Sequence, residues 1–199
     1  MSRGRTLAAG LILLTVILIP ARAQADVLLI PFFGVNFGGD AGKDLSGAFD
    51  SKQFNWGVSF AAMGAGVFGV EGDLGYSPDF FGKTDAGGSH VLTLMGNLVL
   101  GIPFGGQRGF GIRPYGLVGM GLMRSSAKFV GPVGNVDENK LAWDFGGGVI
   151  IFFGTNVGIR GDVRYFRTFE ALDILGIDIV DSPGKLDYTR GTFGVVFRF

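Results

Sequence analysis

The chain has 199 residues with 37 glycines, 20 phenylalanines, no cysteine and a single histidine, and its 17 basic residues match its 17 acidic ones. Without cysteine there is no disulfide framework, thiolate metal site or cysteine nucleophile, and one histidine leaves zinc catalysis short of ligands. A hydrophobic content of 47% argues against disorder, the glycines keep no G-X-Y period, and the balanced charge offers no basic stripe for nucleic acid.

Arg3 and Arg5 precede an uncharged run from Thr6 to Pro20, which is followed by Ala21-Arg22-Ala23-Gln24-Ala25. A basic start, a short apolar stretch and small residues two apart predict a secretory signal peptide over 1–25, cut after Ala25 or alternatively after Ala23. The apolar run is too short for a spanning helix. Residues 26–199 then form one domain, mildly acidic once Arg3, Arg5 and Arg22 are lost.

From there the chain alternates. In Phe68 to Tyr76, Phe68, Val70, Leu74 and Tyr76 share one face while Glu71 and Asp73 share the other. Val157, Ile159, Val163 and Tyr165 oppose Arg160, Asp162 and Arg164; Phe193, Val195, Phe197 and Phe199 oppose Arg190, Thr192 and Arg198. Period two aligns such charges only in a strand. Strands are predicted near 27–37, 54–64, 67–78, 90–102, 110–123, 140–153, 156–168 and 187–199. The connections at 38–53, 79–89, 124–139 and 169–186 are long and those between them short, the rhythm of an eight-stranded antiparallel up-and-down barrel. The uncharged stretch 86–107 is long enough for a membrane helix, but Gly87, Gly88, Gly96, Gly101, Pro103, Gly105 and Gly106 argue against one.

Which face is wet follows from composition. Lys43, Lys52, Lys83, Lys128, Lys140 and Lys185 all fall in predicted loops or at strand ends. The polar face is narrow, with Asn55, Gly57, Ser59, Ala61, Thr93, Asn97, Ala142, Asp144, Gly146 and Gly148, whereas the apolar face carries Trp56, Phe60, Phe68, Tyr76, Trp143, Phe145, Phe153 and Tyr165. An apolar exterior with aromatic girdles is the pattern of a transmembrane barrel. The inward charges then make a lumen cluster in which Glu71, Asp73, Arg113, Arg160, Asp162 and Arg164 lie near one depth, with Asp144 and Arg190 expected to form a second pair nearer the loops. The cluster would leave no room for a water column.

The signal peptide, FGVEGDLGYSPDFF at 68–81, IRPYGLVGMG at 112–121 and the terminal FGVVFRF at 193–199 together resemble the small outer-membrane β-barrel proteins of the OmpA-like and opacity-type superfamily. The resemblance covers the whole mature chain but brings no counterpart of OmpA's periplasmic peptidoglycan-binding domain. It implies an outer membrane of the Gram-negative type, periplasmic termini and four outward loops. It also implies that Phe199, with Phe197, Val195 and Phe193 before it, is the signal read by the barrel-assembly machinery. Adhesins and structural anchors belong to this superfamily, so no single activity is implied.

Other motifs weigh less. Gly64-Ala65-Gly66-Val67-Phe68-Gly69 fits G-x-G-x-x-G but is followed by a strand where a dinucleotide site needs a helix. Gly42-Lys43 is followed by Asp44 where a phosphate loop needs Ser or Thr. Ser89-His90 would suit a lipid-A-modifying enzyme, yet neighbours in a strand face opposite ways. Glu170, Asp173, Asp178 and Asp181 in the last long loop are read as a solvated flap; a cation or a protein partner is the alternative. The expectation is a monomeric structural or surface-interaction protein without cofactor, metal or nucleic-acid partner, in contact with outer-membrane lipid and lipopolysaccharide and open to a ligand at its loops. A small passive channel is the alternative.

Overall fold

The computed structural model describes residues 25–39, 54–64, 67–78, 80, 89–105, 109–128, 135–169, 173–174, 177–178 and 186–199. The predicted leader, except Ala25, and most of the long connections lie outside them. Eight long strands are the staves of the barrel: β1 (Ala25–Phe37), β2 (Phe54–Gly64), β3 (Phe68–Pro78), β4 (Ser89–Gly101), β6 (Gly111–Lys128), β7 (Asn135–Phe152), β8 (Val157–Thr168) and β11 (Asp187–Arg198). Two-residue strands complete the set, β5 (Phe104–Gly105) in a turn and β9 (Asp173–Ile174) with β10 (Ile177–Asp178) in the last long connection.

Each stave pairs antiparallel with its chain neighbours, β4 pairs with β6 across β5, and β1 pairs with β11, so the sheet closes on itself. Closure removes the free edge that would otherwise present unpaired backbone groups to lipid. The seam registers Leu28 with Arg198 and Phe37 with Thr189, and the Phe199 N–H donates to the Val27 carbonyl at 2.9 Å. No helix among the described residues is long and apolar enough to cross a membrane.

Alternation along the staves sorts the side chains. Phe60, Phe68, Leu98, Met120 and Phe153 stand exposed on the outer wall, while Asn55, Ser59, Glu71, Asp73, Asn97 and Arg164 are buried inside. A soluble barrel would have the reverse arrangement. At the loop end the outer wall carries aromatic groups, Trp56 edge-on to Tyr76 at 5.6 Å and Trp143 stacked on Phe145 at 5.7 Å. Phe68, Phe104, Phe110, Phe153 and Phe199 ring the turn end.

Two boundaries differ from expectation. The predicted loop 124–139 is mostly ladder, since β6 and β7 stay paired from Arg124 with Asn139 out to Lys128 with Asn135. Hydrophobic alternation ends near residue 123 because the hairpin there leaves the apolar band, but a backbone ladder needs no apolar face to continue. In the predicted short connection 103–109, β5 folds back so that Phe104 pairs with Ile112 and Gly105 with Gly111. Gly105 takes φ +104, a conformation L side chains rarely adopt.

Candidate functional site

The lumen is filled in three layers. At the turn end Leu28, Ile30, Met63, Val99, Leu117, Ile150, Phe152 and Val196 form an apolar cluster. At the loop end Val91, Met95, Met123, Phe166, Tyr188 and Phe80 form another. Between them along the staves lies a charged layer, positioned because β3, β7, β8 and β11 each turn their polar alternation inward at that height.

Arg164 is the hub of that layer. Its Nη1 lies 2.9 Å from Glu71 Oε1, 3.4 Å from Asp73 Oδ2 and 4.0 Å from Asp144 Oδ2, and its Nε lies 3.1 Å from Asp162 Oδ1. Arg160 reaches Glu71 Oε2 at 2.5 Å and Asp162 Oδ2 at 2.8 Å while its guanidinium lies over the Tyr115 ring at 4.7 Å. Arg190 donates to Asp73 Oδ1 at 2.6 Å between the rings of Phe32 and Phe166, at 4.9 and 4.6 Å. Neutral groups complete the shell: Asn97 donates to Glu71 at 3.1 Å, Ser59 to Asp73 at 2.8 Å, Tyr115 to Asp162 at 2.8 Å and Thr192 to Asp162 at 3.0 Å. Charges buried this far from water are tolerable only when paired and hydrogen-bonded.

The arrangement departs from the expected one at two places. Arg113 stands apart from Glu71 and Asp73, pairing at the turn end with Asp26 at 3.0 Å. Counting residues from the strand ends put them together, but register decides: Glu71 pairs with Asn97 and Asn97 with Gly119, well to the loop side of Arg113. Asp144 and Arg190 do not pair either. Arg164 stands between them, in register with Arg190 on one side and Gly146 on the other, and Arg190 turns instead to Asp73.

The sequence reading missed Asp26, Arg198 and Tyr115. Arg198 lies 3.9 Å from Asp26 and 4.3 Å from the Phe152 ring centre, and donates to the Thr155 and Gly154 carbonyls of the β7–β8 turn. Period two already put Arg198 inward, and the same rule applied from Arg113 would have found Tyr115 two residues on; Asp26 was masked by its place beside the predicted cleavage point. Ser89 is buried on the inner face, whereas the His90 ring packs outside against Tyr76 at 5.7 Å. Gly64 ends β2 and Gly69 lies within β3, so a strand indeed follows those glycines. Gly42 to Asp44, Glu170 and Asp181 lie outside the described residues.

The family model of the outer membrane protein beta-barrel domain matches residues 10–199, and the chain belongs to that family. It is an outer-membrane β-barrel protein. Among solved structures it is similar to Neisserial surface protein A, at 13% identity over 87% of this chain and 97% of that one, with TM-score 0.59. It is also similar to the N-terminal β-barrel domain of Pseudomonas aeruginosa OprF, at 15% identity over 88% and 100%, with TM-score 0.51. A third likeness is to Ail, the attachment invasion locus protein of Yersinia pestis, crystallised with the heparin analogue sucrose octasulfate, at 15% identity over 88% and 99%, with TM-score 0.53. At such identities the likeness is one of fold. No curated protein matches the chain.

Proposed function

We propose that the protein is a closed structural or surface-interaction barrel of the outer membrane, with its termini in the periplasm and its specificity in the connections at 38–53, 79–89, 129–134 and 169–186. The observation that carries this reading is the Arg164 hub, whose contacts with Glu71, Asp73 and Asp162 span the lumen and occupy the cross-section a water column would need. The orientation is supported by the outer wall: Trp56, Tyr76, Trp143 and Tyr165, rings with a polar tip suited to a headgroup zone, sit at the loop end. Lipopolysaccharide and a surface ligand would meet this end. Protease added to intact cells tests the orientation and is expected to cut in the long connections and leave both termini intact.

The protein is expected to fractionate with outer membranes and to migrate differently in gels before and after boiling, since the closed ladder resists detergent until heated. Recovery from the soluble periplasm without a heat shift would overturn the reading. Steady single-channel conductance of the wild type in planar bilayers would put the passive channel in its place.

Phe199 is read as the assembly signal. The residue is 76% exposed beyond the last strand, and its backbone contributes one seam bond to Val27. Deleting it is expected to lower the assembled barrel in cells several-fold while detergent refolding of the purified chain stays near the wild-type yield. Equal loss in both settings would make Phe199 a stability residue.

A further inference from the structure

Among the described lumen carboxylates, Glu71, Asp73 and Asp162 each accept hydrogen bonds from an arginine and a neutral group. Asp144 is different. It is wholly buried, and neither carboxylate oxygen accepts a hydrogen bond among the described residues. The cation beside it is Arg164, whose Nη1 lies 4.0 Å away, nearer to Glu71 and Asp73 yet hydrogen-bonded to none of the three, while its Nε pairs with Asp162.

The layer is also short of positive charge. Glu71, Asp73, Asp144 and Asp162 face Arg160, Arg164 and Arg190, which leaves one negative charge over. The matching surplus cation lies in the Arg113, Arg198 and Asp26 group at the turn end, where Asp26 is part-exposed and the turn-end apolar cluster separates it from Asp144. That surplus sits at the part-exposed turn end, where Arg198 donates to the Thr155 and Gly154 carbonyls, so it does not balance Asp144.

A second unpartnered oxygen sits nearby. Asn97 is buried and gives its amide hydrogen to Glu71, and its Oδ1 has no partner among the described residues. That Oδ1 occupies the place where a side chain on Gly119 would begin. Gly119 is in register with Asn97 on β4 and with Asp144 on β7, so it is the bare floor between them, one strand spacing of about 4.8 Å from each.

We infer that Asp144 and Asn97, the buried residues in register on either side of Gly119, bind one alkali cation inside the lumen. Hard cations take oxygen ligands, and the carboxylate and amide oxygens are of that kind. A single positive charge completes the layer. A divalent ion would overshoot it, and no group of three His, Cys, Asp or Glu suited to one occurs among the described residues. Water alone would leave the layer one positive charge short.

The test is urea unfolding of the full barrel refolded in detergent, with choline chloride replaced stepwise by sodium or potassium chloride at constant ionic strength. Above the dissociation constant, each tenfold rise in alkali cation is expected to shift the wild-type unfolding equilibrium about tenfold toward the folded state. Asp144→Asn is expected to show no such dependence. Asn97→Ala, which removes the unpartnered Oδ1, is expected to weaken it. The wild-type series decides whether a cation binds, and the variants decide where. A wild type indifferent to the exchange overturns the inference, as does a wild type that responds to pH alone, which would assign the missing charge to a proton. Asp144→Asn with undiminished dependence would place the ion elsewhere and overturn the site.

Discussion

Replacing Arg164 with alanine is expected to destabilise the barrel by about 3 to 5 kcal/mol, the cost of leaving buried charges without their partner. The effect is large because one guanidinium serves Glu71, Asp73 and Asp162 at 2.9, 3.4 and 3.1 Å, and its loss leaves four carboxylates facing Arg160 and Arg190. Equilibrium urea unfolding in detergent measures it. Adding Glu71→Gln to Arg164→Ala is expected to recover part of the loss, since it removes one of the stranded charges; the four-way cycle isolates the coupling. Arg198→Ala should cost less, because its partner Asp26 has a side chain 28% exposed and is hydrated already. An Arg164→Ala barrel as stable as the wild type would mean that water fills the layer.

Much of the architecture can be read from the sequence because a barrel repeats one rule. The side-chain period of two fixes which residues face lipid, and the alternation of long and short connections fixes the topology, so Glu71 and Asp73 on β3 or Arg160 and Arg164 on β8 are placed inward without any knowledge of neighbours. Partner choice is another matter. It depends on register and strand tilt, which are set by pairing over the whole sheet, and a residue count from each strand end ignores both. That is why Arg113 is drawn to Asp26, and why Arg190 finds Asp73 with Asp144 left beyond Arg164. The end of the β6–β7 hairpin is hidden for a related reason: from Arg124 to Lys128 the ladder continues where the hydrophobic signal has stopped. Phe80 was hidden as well. It lies in a predicted loop yet is buried with its ring 4.9 Å from Tyr188, a contact that no periodicity announces.

Single replacements in the charged layer are expected to leave the lumen closed, although they weaken the fold. On the loop side, Arg190, Phe166, Tyr188 and Phe80 form a continuous column, with the guanidinium 4.6 Å from the Phe166 ring centre, Phe166 stacked on Tyr188 at 5.1 Å and Phe80 edge-on beyond it. On the turn side, Leu28, Ile30, Met63, Tyr115 and Ile150 pack beneath Glu71 and Arg160, enclosing a cavity of only about 10 Å³. That is the volume of one water molecule at most, so no continuous file of water passes this level. Ions crossing the barrel therefore meet an aromatic seal, a charged layer and an aliphatic seal in series, and opening any one leaves the other two. Planar-bilayer recording is expected to show no steady conductance for the wild type, for Glu71→Ala, for Arg160→Ala or for Tyr188→Ala. The combined variant Phe152→Ala, Arg164→Ala and Tyr188→Ala, which truncates a large side chain at each level, is expected to conduct, with boiled and unboiled gel mobility confirming that it is folded. Steady conductance from Glu71→Ala or Arg160→Ala alone would show instead that the charged layer is the sole gate and that the apolar packing on either side of it admits water.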